Sequence, residues 1–319
     1  LYSRPMAYKA LVTGGLGFIG SHISRALIAA GHSVRVLDDL SSGRRSNLAG
    51  IEDRVELIEG DLSQREIARR ACEGVEVVFH QGAVPAVPRS IEDPLSTFRV
   101  NVSGTNELLV AARDAGVRRF VFASSSSVYG PSEVLPKVET QSPHPVSPYA
   151  AHKLSAEQLC MSFFHSFGLE TVALRYFNVF GPRQDPHSGY AAVIPAFALA
   201  LLAGKPVTIN GDGSYSRDFT YIDDVVAANL AAADAPGAPG HWINIAGGKR
   251  ITILELHDGI AEALGVDLPP ILGPLRAGDI PHSMAAVDRA RDLLGWSPKV
   301  SLEEGLRRTV ESYRHELGS

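Results

Sequence analysis

Cysteine is nearly absent from the chain, with two residues, Cys72 and Cys160, in 319. They lie far apart and match no metal-ligand spacing, which argues against a disulfide framework or a cysteine-held metal. Buried thiols in a reducing compartment are expected instead. No apolar run reaches membrane-spanning length. No charged-then-apolar leader opens the chain, so a cytoplasmic setting is expected. Positive charge is not in excess: 30 Lys and Arg stand against 35 Asp and Glu, a net charge of −5. That balance speaks against a nucleic-acid partner. There is no internal repeat and no low-complexity tract apart from an Ala/Pro linker, Ala231 to Gly240. Leu1 to Pro5, ahead of Met6, reads as an expression scar. What remains is ordinary globular composition, 45% hydrophobic and 20% charged. One large or two small domains are expected.

One stretch organises the rest. Ala10 to Gly20 reads A-L-V-T-G-G-L-G-F-I-G. A short apolar run ends in Thr13 and a glycine turn, and an apolar-periodic helix follows through Phe18, Ile19, Ile23 and Leu27. Gly14, Gly17 and Gly20 allow a tight turn and a close approach to a pyrophosphate, with the helix N-terminus offering its unpaired N–H groups. The third glycine lets the helix lie close on the strand. The next strand, Ser33 to Leu37, ends in Asp38, about twenty residues after the glycines, where a carboxylate accepts adenine-ribose hydroxyls. The same acid repels a 2′-phosphate. NAD is therefore expected over NADP, although Arg44 and Arg45 in the following loop weigh the other way.

Further strands are expected at Val55–Gly60, Val75–His80, Phe120–Ala123 and Thr171–Tyr176. Asp61, after the first of these strands, either accepts the adenine amine or caps a helix opening at Ser63. Gln81 to Pro85 is a loop of small residues suited to lie against a cofactor. A helix is expected over Leu95–Ala115, with Asn101 inside it. The alternation of strand and helix implies a parallel sheet covered on both faces, with ligands beyond the strands' carboxyl ends. Thr13, Asp38, Asp61, His80 and Ser124 to Ser127 all fall at such ends. A proline-rich loop, 131 to 148, leads into a helix starting near Pro148 or Tyr149. Its many large apolar residues exceed one face, which predicts a homodimer packed through the helices near 96–115 and 149–167. After Phe177 the composition shifts. A polar loop spans 181–189, and a helix 191–203. A short strand runs from Pro206 to Asn210. A helix over 219–233 returns to the sheet, with a strand at 241–245 after it. Helices near 253–264, 286–295 and 302–316 complete a smaller domain.

Tyr149 and Lys153 stand four apart, on one face of a helix. A free tyrosine is a poor base, since its pKa is about 10. A nearby ammonium and a positively charged nicotinamide both favour phenolate. Such a tyrosine takes a proton from a sugar hydroxyl while hydride leaves the same carbon. A serine from the Ser124 to Ser127 run binds the same oxygen. His152 and His187 lack partners at metal spacing and read as surface residues; no metal is expected.

These motifs together resemble the extended short-chain dehydrogenase/reductases, and within them the NAD-dependent nucleotide-sugar epimerases and dehydratases. The resemblance covers essentially the whole chain: T-G-G-L-G-F-I-G, L-D-D-L, G-D-L, S-S-S-V-Y-G, Y-A-A-H-K, R-Y-F-N-V-F-G-P, S-R-D-F-T-Y-I-D-D and R-A-G-D. It implies a doubly wound parallel Rossmann sheet of residues 6–177 plus about 219–246. A smaller, discontinuous substrate domain would comprise about 178–218 plus 247–319. It implies Ser125, Tyr149 and Lys153 as the catalytic set. NAD would be held by Gly14, Gly17, Phe18, Ile19, Asp38, Asp39, Asp61, Leu62, Gln81, Ala83, Tyr149, Lys153 and Tyr176. A UDP-sugar would be met by Val84, Ser126, Ser127, Asn178, Val193, Asn210, Arg217, Arg276, Asp279 and Ser283. Arg217 and Arg276 would grip the diphosphate in guanidinium forks. Either arginine also has an acid nearby, Asp218 or Asp279, as an ordinary ion-pair partner.

Within that family, 4,6-dehydratases carry Asp-Glu after the catalytic serine or threonine, and the decarboxylases keep the glutamate. Ser126-Ser127 supplies no acid there. Oxidation at carbon 4, rotation of the ketone and return of hydride to its other face remain, which is 4-epimerisation. The loop Arg183 to Pro195 resembles that of epimerases acting on UDP-N-acetylhexosamines. Asp185 would repel a glucuronate carboxylate if it faced one. Ser283, seven residues after Arg276, is small at the family's gatekeeping position and leaves room for an N-acetyl group, unless it merely caps a following helix. A roomy pocket also admits UDP-glucose and UDP-galactose. The competing readings are a glucuronate 4-epimerase, an oxidoreductase releasing a keto sugar, and a non-catalytic NAD-binding scaffold.

Overall fold

A computed structural model describes residues 7–85, 87–186, 192–275 and 280–318. The strands are β1 Lys9–Thr13, β2 Ser33–Asp38, β3 Val55–Glu59, β4 Val77–His80, β5 Arg119–Ser125, β6 Glu170–Tyr176, β7 Val179–Phe180, β8 Thr208–Asn210, β9 Ser216–Asp218, β10 Thr220–Tyr221, β11 His241–Ile245, β12 Arg250–Thr252 and β13 Ile271–Gly273. The helices are α1 Phe18–Ala30, α2 Arg65–Cys72, α3 Val87–Glu92, α4 Pro94–Phe98, α5 Thr105–Asp114, α6 Pro148–Phe167, α7 Val193–Leu202, α8 Ile222–Asp234, α9 Ile253–Leu264, α10 Asp288–Leu294 and α11 Leu302–Gly318.

Seven of the strands form one parallel sheet in the order β11-β6-β5-β4-β1-β2-β3. This is the expected doubly wound α/β architecture. The central strands β1 and β4 are buried at nearly every position because both faces are covered. One core layer joins Ile23, Leu27 and Ile28 of α1 to Val225, Ala228 and Ala232 of α8. The opposite layer packs Leu108, Leu109 and Ala112 of α5 with Ala156 and Cys160 of α6. The strand order reverses between β1 and β4, and a crevice opens there above the carboxyl ends. β11 adds to the edge of β6 after the chain has left the sheet.

The chain outside the sheet makes three two-stranded pairs, β10 with β7, β12 with β9, and β13 with β8. Of these only β8 has a counterpart among the expected strands; pieces of two or three residues leave no readable alternation. Likewise α3 falls where no element is expected.

The helix expected over 95–115 exists in extent, but Arg99–Gly104 is wound as a π-helix between α4 and α5. Leu108 is fully buried inside its own chain. It is therefore not part of an exposed apolar face. The exposed large apolar residues in this region include Val87, Ile91, Leu95, Phe98 and Phe167, with Leu95 82% exposed. Both cysteines are buried thiols, and burial pushes Cys72 up to about 12. Among the described residues no helix is long and apolar enough to cross a membrane.

Candidate active site

The glycine turn closes on backbone alone. Gly14 adopts φ +63°, and a Cβ there would meet Gly82 Cα at 2.8 Å. A Cβ on Gly20 would sit 2.2 Å from the Gly14 carbonyl oxygen. Neither neighbour is a side chain that moves aside, so only glycine fits. No side chain caps the start of α1. Its N–H groups therefore remain open to an anion, as a pyrophosphate requires.

Asp38 closes β2. Its carboxylate accepts from the Leu16 and Leu40 N–H groups, both at 2.9 Å, which ties the acid to the glycine turn. Burial raises its pKa, and those two N–H groups oppose the rise. A cavity of ≈ 280 Å³ lies over these groups. Gly14, Gly17, Phe18, Ile19, Asp38, Asp39, Leu62, Gln81, Ala83, Val84, Tyr149, Lys153 and Tyr176 all line it. Sequence reasoning had named every one of them. Ser124 lines it too. Asp61 is turned elsewhere: its carboxylate accepts from Ser63 N at 2.8 Å and Ser63 Oγ at 2.7 Å, and pairs with Arg99 at 3.3 Å. The helix that follows starts at Arg65, with Gln64 at its cap position.

Ser147 caps α6 by accepting from Ala150 N, and Pro148 takes the first turn, where no N–H is needed. This places Tyr149 at the cavity wall, its own N–H donating to Ser90 Oγ at 2.9 Å. The phenol is hydrogen-bonded to Ser125. Ser127 in turn donates to Ser125 Oγ from its N–H at 3.2 Å and its hydroxyl at 2.9 Å. One turn along α6, Lys153 Nζ donates to the Ala123 carbonyl at 2.8 Å and lies 5.0 Å from the Phe122 ring centroid. Burial pulls Lys153 down to about 8. Of the two charges expected to lower Tyr149, the Lys153 ammonium is not among the influences on it. Burial raises the Tyr149 pKa above its usual value, and only the Ser125 hydrogen bond opposes it. A bound nicotinamide would add the other positive charge that favours phenolate.

Thr13, His80 and Asn101, noted in the sequence, are linked with Thr105 into a polar chain behind the loop 81–85. Gly82 N donates to Thr13 Oγ1 at 3.0 Å, so the Thr13 hydroxyl hydrogen is available for His80 Nδ1, 2.7 Å away. Thr105 Oγ1 donates to the Asn101 carbonyl at 2.8 Å and is 2.9 Å from His80 Nε2. These partners assign the Nε2–H tautomer, and burial holds the ring neutral, with its pKa near 3. Asn101, inside the π-helical segment, takes both backbone groups of Val84, at 2.7 Å and 3.0 Å. A polar residue inside an apolar-periodic helix was the available signal. Tyr176 and Gln81 meet over Asn229, which escaped notice.

Beyond the main sheet, Asn178 follows β6 with φ 31° and donates from Nδ2 to the Asp218 carbonyl at 2.8 Å. Ser216 N donates to Pro281 O, and Ser283 N to Ser216 O. Asn178, Arg217 and Ser283 are thereby brought together, and Arg217 Nη1 donates to Ser216 O and Pro281 O. Ser283 caps no helix, since α10 starts at Asp288. Val193 opens α7 and Asn210 ends β8. Ser126 sits in the turn after β5. Arg276, Asp279 and His187 lie outside the described residues. Asp185 pairs with Arg44 of the loop after β2 at 2.8 Å.

A family model described as the NAD-dependent epimerase/dehydratase family matches residues 10–246. The chain is 43% identical over 312 residues to a UDP-glucose 4-epimerase of Mycolicibacterium smegmatis, covering 97% of this chain and 99% of that one. Among solved structures, it is 40% identical to a UDP-N-acetylglucosamine 4-epimerase from Methanobrevibacter ruminantium in complex with UDP-N-acetylmuramic acid. That match has a TM-score of 0.93 and covers 97% of this chain and 99% of the other. It is also 40% identical to a UDP-glucose 4-epimerase with UDP-glucose from Thermotoga maritima, with a TM-score of 0.92 over 97% and 99% of the two chains. The glycine turn, the acid closing β2 and these matches agree: the chain belongs to the NAD-dependent epimerase/dehydratase family, with NAD as its cofactor.

Proposed function

We propose that the protein is a UDP-hexose 4-epimerase that interconverts UDP-N-acetylglucosamine with its galacto isomer and also accepts UDP-glucose and UDP-galactose. The observation that carries this reading is the Tyr149 phenol on the cavity wall, hydrogen-bonded to Ser125, with Lys153 buried one helical turn away. Tyr149 removes the proton of the sugar 4-hydroxyl, and Ser125 holds the same oxygen. NAD, when bound over the glycine turn and Asp38, would supply the hydride acceptor and donor. Tyr149 then gives the proton back after the keto sugar has turned its other face. Asn178, Arg217 and Arg276 hold the diphosphate, so only the sugar end is free to turn. Ser126 and Ser127 offer no carboxyl to carry out an elimination at neighbouring carbons, which separates this chemistry from dehydration. Ser283 leaves space for an N-acetyl group.

In this reading residues 178–218 plus 247–319 bind the nucleotide sugar, and the exposed Leu95, Phe98 and Phe167 cover one another in a homodimer. The two buried, unpaired thiols suit a reducing, cytoplasmic setting. The engagement of Asp185 by Arg44 lessens the objection to UDP-glucuronate, which stands as the second substrate reading. Incubation with each nucleotide sugar, read by proton magnetic resonance, separates these cases. Galacto isomers from UDP-N-acetylglucosamine and UDP-glucose support the proposal. Conversion of UDP-glucuronate alone replaces it with the second reading, and net NADH accumulation replaces it with an oxidoreductase.

A further inference from the structure

Beneath the catalytic face lies a charged pair to which the reaction assigns no part. Glu157 of α6 and Arg175 of β6 have side chains 0% and 1% exposed. Arg175 donates from Nε to Glu157 Oε2 at 2.9 Å and from Nη2 to Oε1 at 2.5 Å, a two-pronged fork. Ser124 Oγ donates to the same Oε2 at 2.8 Å. The guanidinium is itself clamped, 4.7 Å from the Tyr129 ring centroid and 5.4 Å from that of Trp242. Arg175 stands directly opposite Ser124 in the β5–β6 ladder.

Three side chains of α6, spaced four apart, thus meet three consecutive residues at the end of β5. Tyr149 meets Ser125, Lys153 meets the Ala123 carbonyl, and Glu157 meets Ser124. The first two contacts belong to groups that must also serve the reaction. The third is engaged with protein alone. We propose that Glu157, held by Arg175, is a positioning residue that sets the register of α6 against the end of β5 and so fixes Tyr149 relative to Ser125. The proposal rests on the catalytic reading of Tyr149.

A buried ion pair is a weak source of stability. Apolar residues of like volume in its place are often neutral or stabilising, because they escape the cost of stripping water from two charges. Apolar contact has no preferred direction and tolerates sliding, whereas a fork of charge-assisted hydrogen bonds is directional. Tyr149 lies eight residues from Glu157, about 12 Å along the helix axis. A small slip or rotation at Glu157 is carried by the rigid helix to the phenol. A displacement of about 1 Å at reacting groups costs about 10²-fold in rate.

The test compares wild type, Glu157→Met/Arg175→Met and Ser124→Ala for Tm, bound NAD, and kcat and KM with UDP-N-acetylglucosamine and UDP-glucose. The double variant is expected to keep its Tm within a few degrees and its KM within about twofold, while kcat falls about tenfold or more. A double variant with wild-type Tm and wild-type kcat overturns the proposal. Should the double variant not fold, Ser124→Ala decides. Loss of the hydroxyl that Glu157 holds is expected to lower kcat about fivefold with normal NAD content, and an unchanged kcat overturns the proposal. Wild type that epimerises neither sugar overturns the reading of Tyr149 itself, a result distinct from either variant outcome.

Discussion

Arg44 and Asp185, 141 residues apart in sequence, join at 2.8 Å and tie the loop after β2 to the loop before α7. Arg45 is likewise engaged, by Glu59. Both arginines that weighed toward NADP are therefore occupied by carboxylates, and Asp38 and Asp39 line the cavity unopposed by them. Asp185→Asn should release Arg44 toward a 2′-phosphate. An exposed pair is worth up to about 1 kcal/mol, so the ratio of NADP to NAD affinity should rise up to about fivefold with no change in Tm. Titration of cofactor-stripped protein with each dinucleotide checks this.

Tyr149 has its pKa raised by burial in the cofactor-free protein. A raised phenol pKa leaves less phenolate at neutral pH, not more. Without NAD the Tyr149 signal, taken as the ultraviolet difference between wild type and Tyr149→Phe, should therefore ionise above pH 10. Addition of oxidised NAD should bring the transition down, because its nicotinamide charge favours phenolate. A transition near neutrality in the stripped protein would show that Lys153 suffices.

Most of the sheet could be read from sequence because each strand is a short apolar run that stops at a polar residue: Val12 at Thr13, Leu37 at Asp38, Phe79 at His80. The glycine turn was legible for the same local reason. The lesser strands β7, β9, β10, β12 and β13 were not, since two or three residues carry no periodicity and their partners are remote. The π-helical segment left the apolar pattern of its helix intact. The contacts that shape the site are likewise non-local. Asn101 with Val84, Asn229 with Tyr176 and Glu157 with Ser124 each depend on the sheet having first brought distant strands together.

Asp218 shows how such a contact shapes stability. Its carboxylate is buried, accepts from Ala285 N at 3.1 Å, and is pushed by burial up to about 7 from 3.8. The folded state thus holds this proton more tightly than the unfolded chain. The stability contributed by Asp218 is full below pH 3.8 and is lost as pH rises toward 7. Asp218→Asn imitates the protonated form, so its gain in stability over wild type should be greater at pH 8 than at pH 5 by roughly 2 kcal/mol. Denaturant unfolding at the two pH values measures it.

The central claim concerns one phenol acting at one carbon. Wild type and Tyr149→Phe, both carrying NAD, are each given UDP-N-acetylglucosamine bearing deuterium at carbon 4, and the products are followed by magnetic resonance. The account predicts that wild type forms the galacto isomer with its deuterium retained, and that Tyr149→Phe keeps NAD but turns over at least about 10²-fold more slowly. Equal turnover by the two proteins, or loss of the deuterium to solvent, would contradict it.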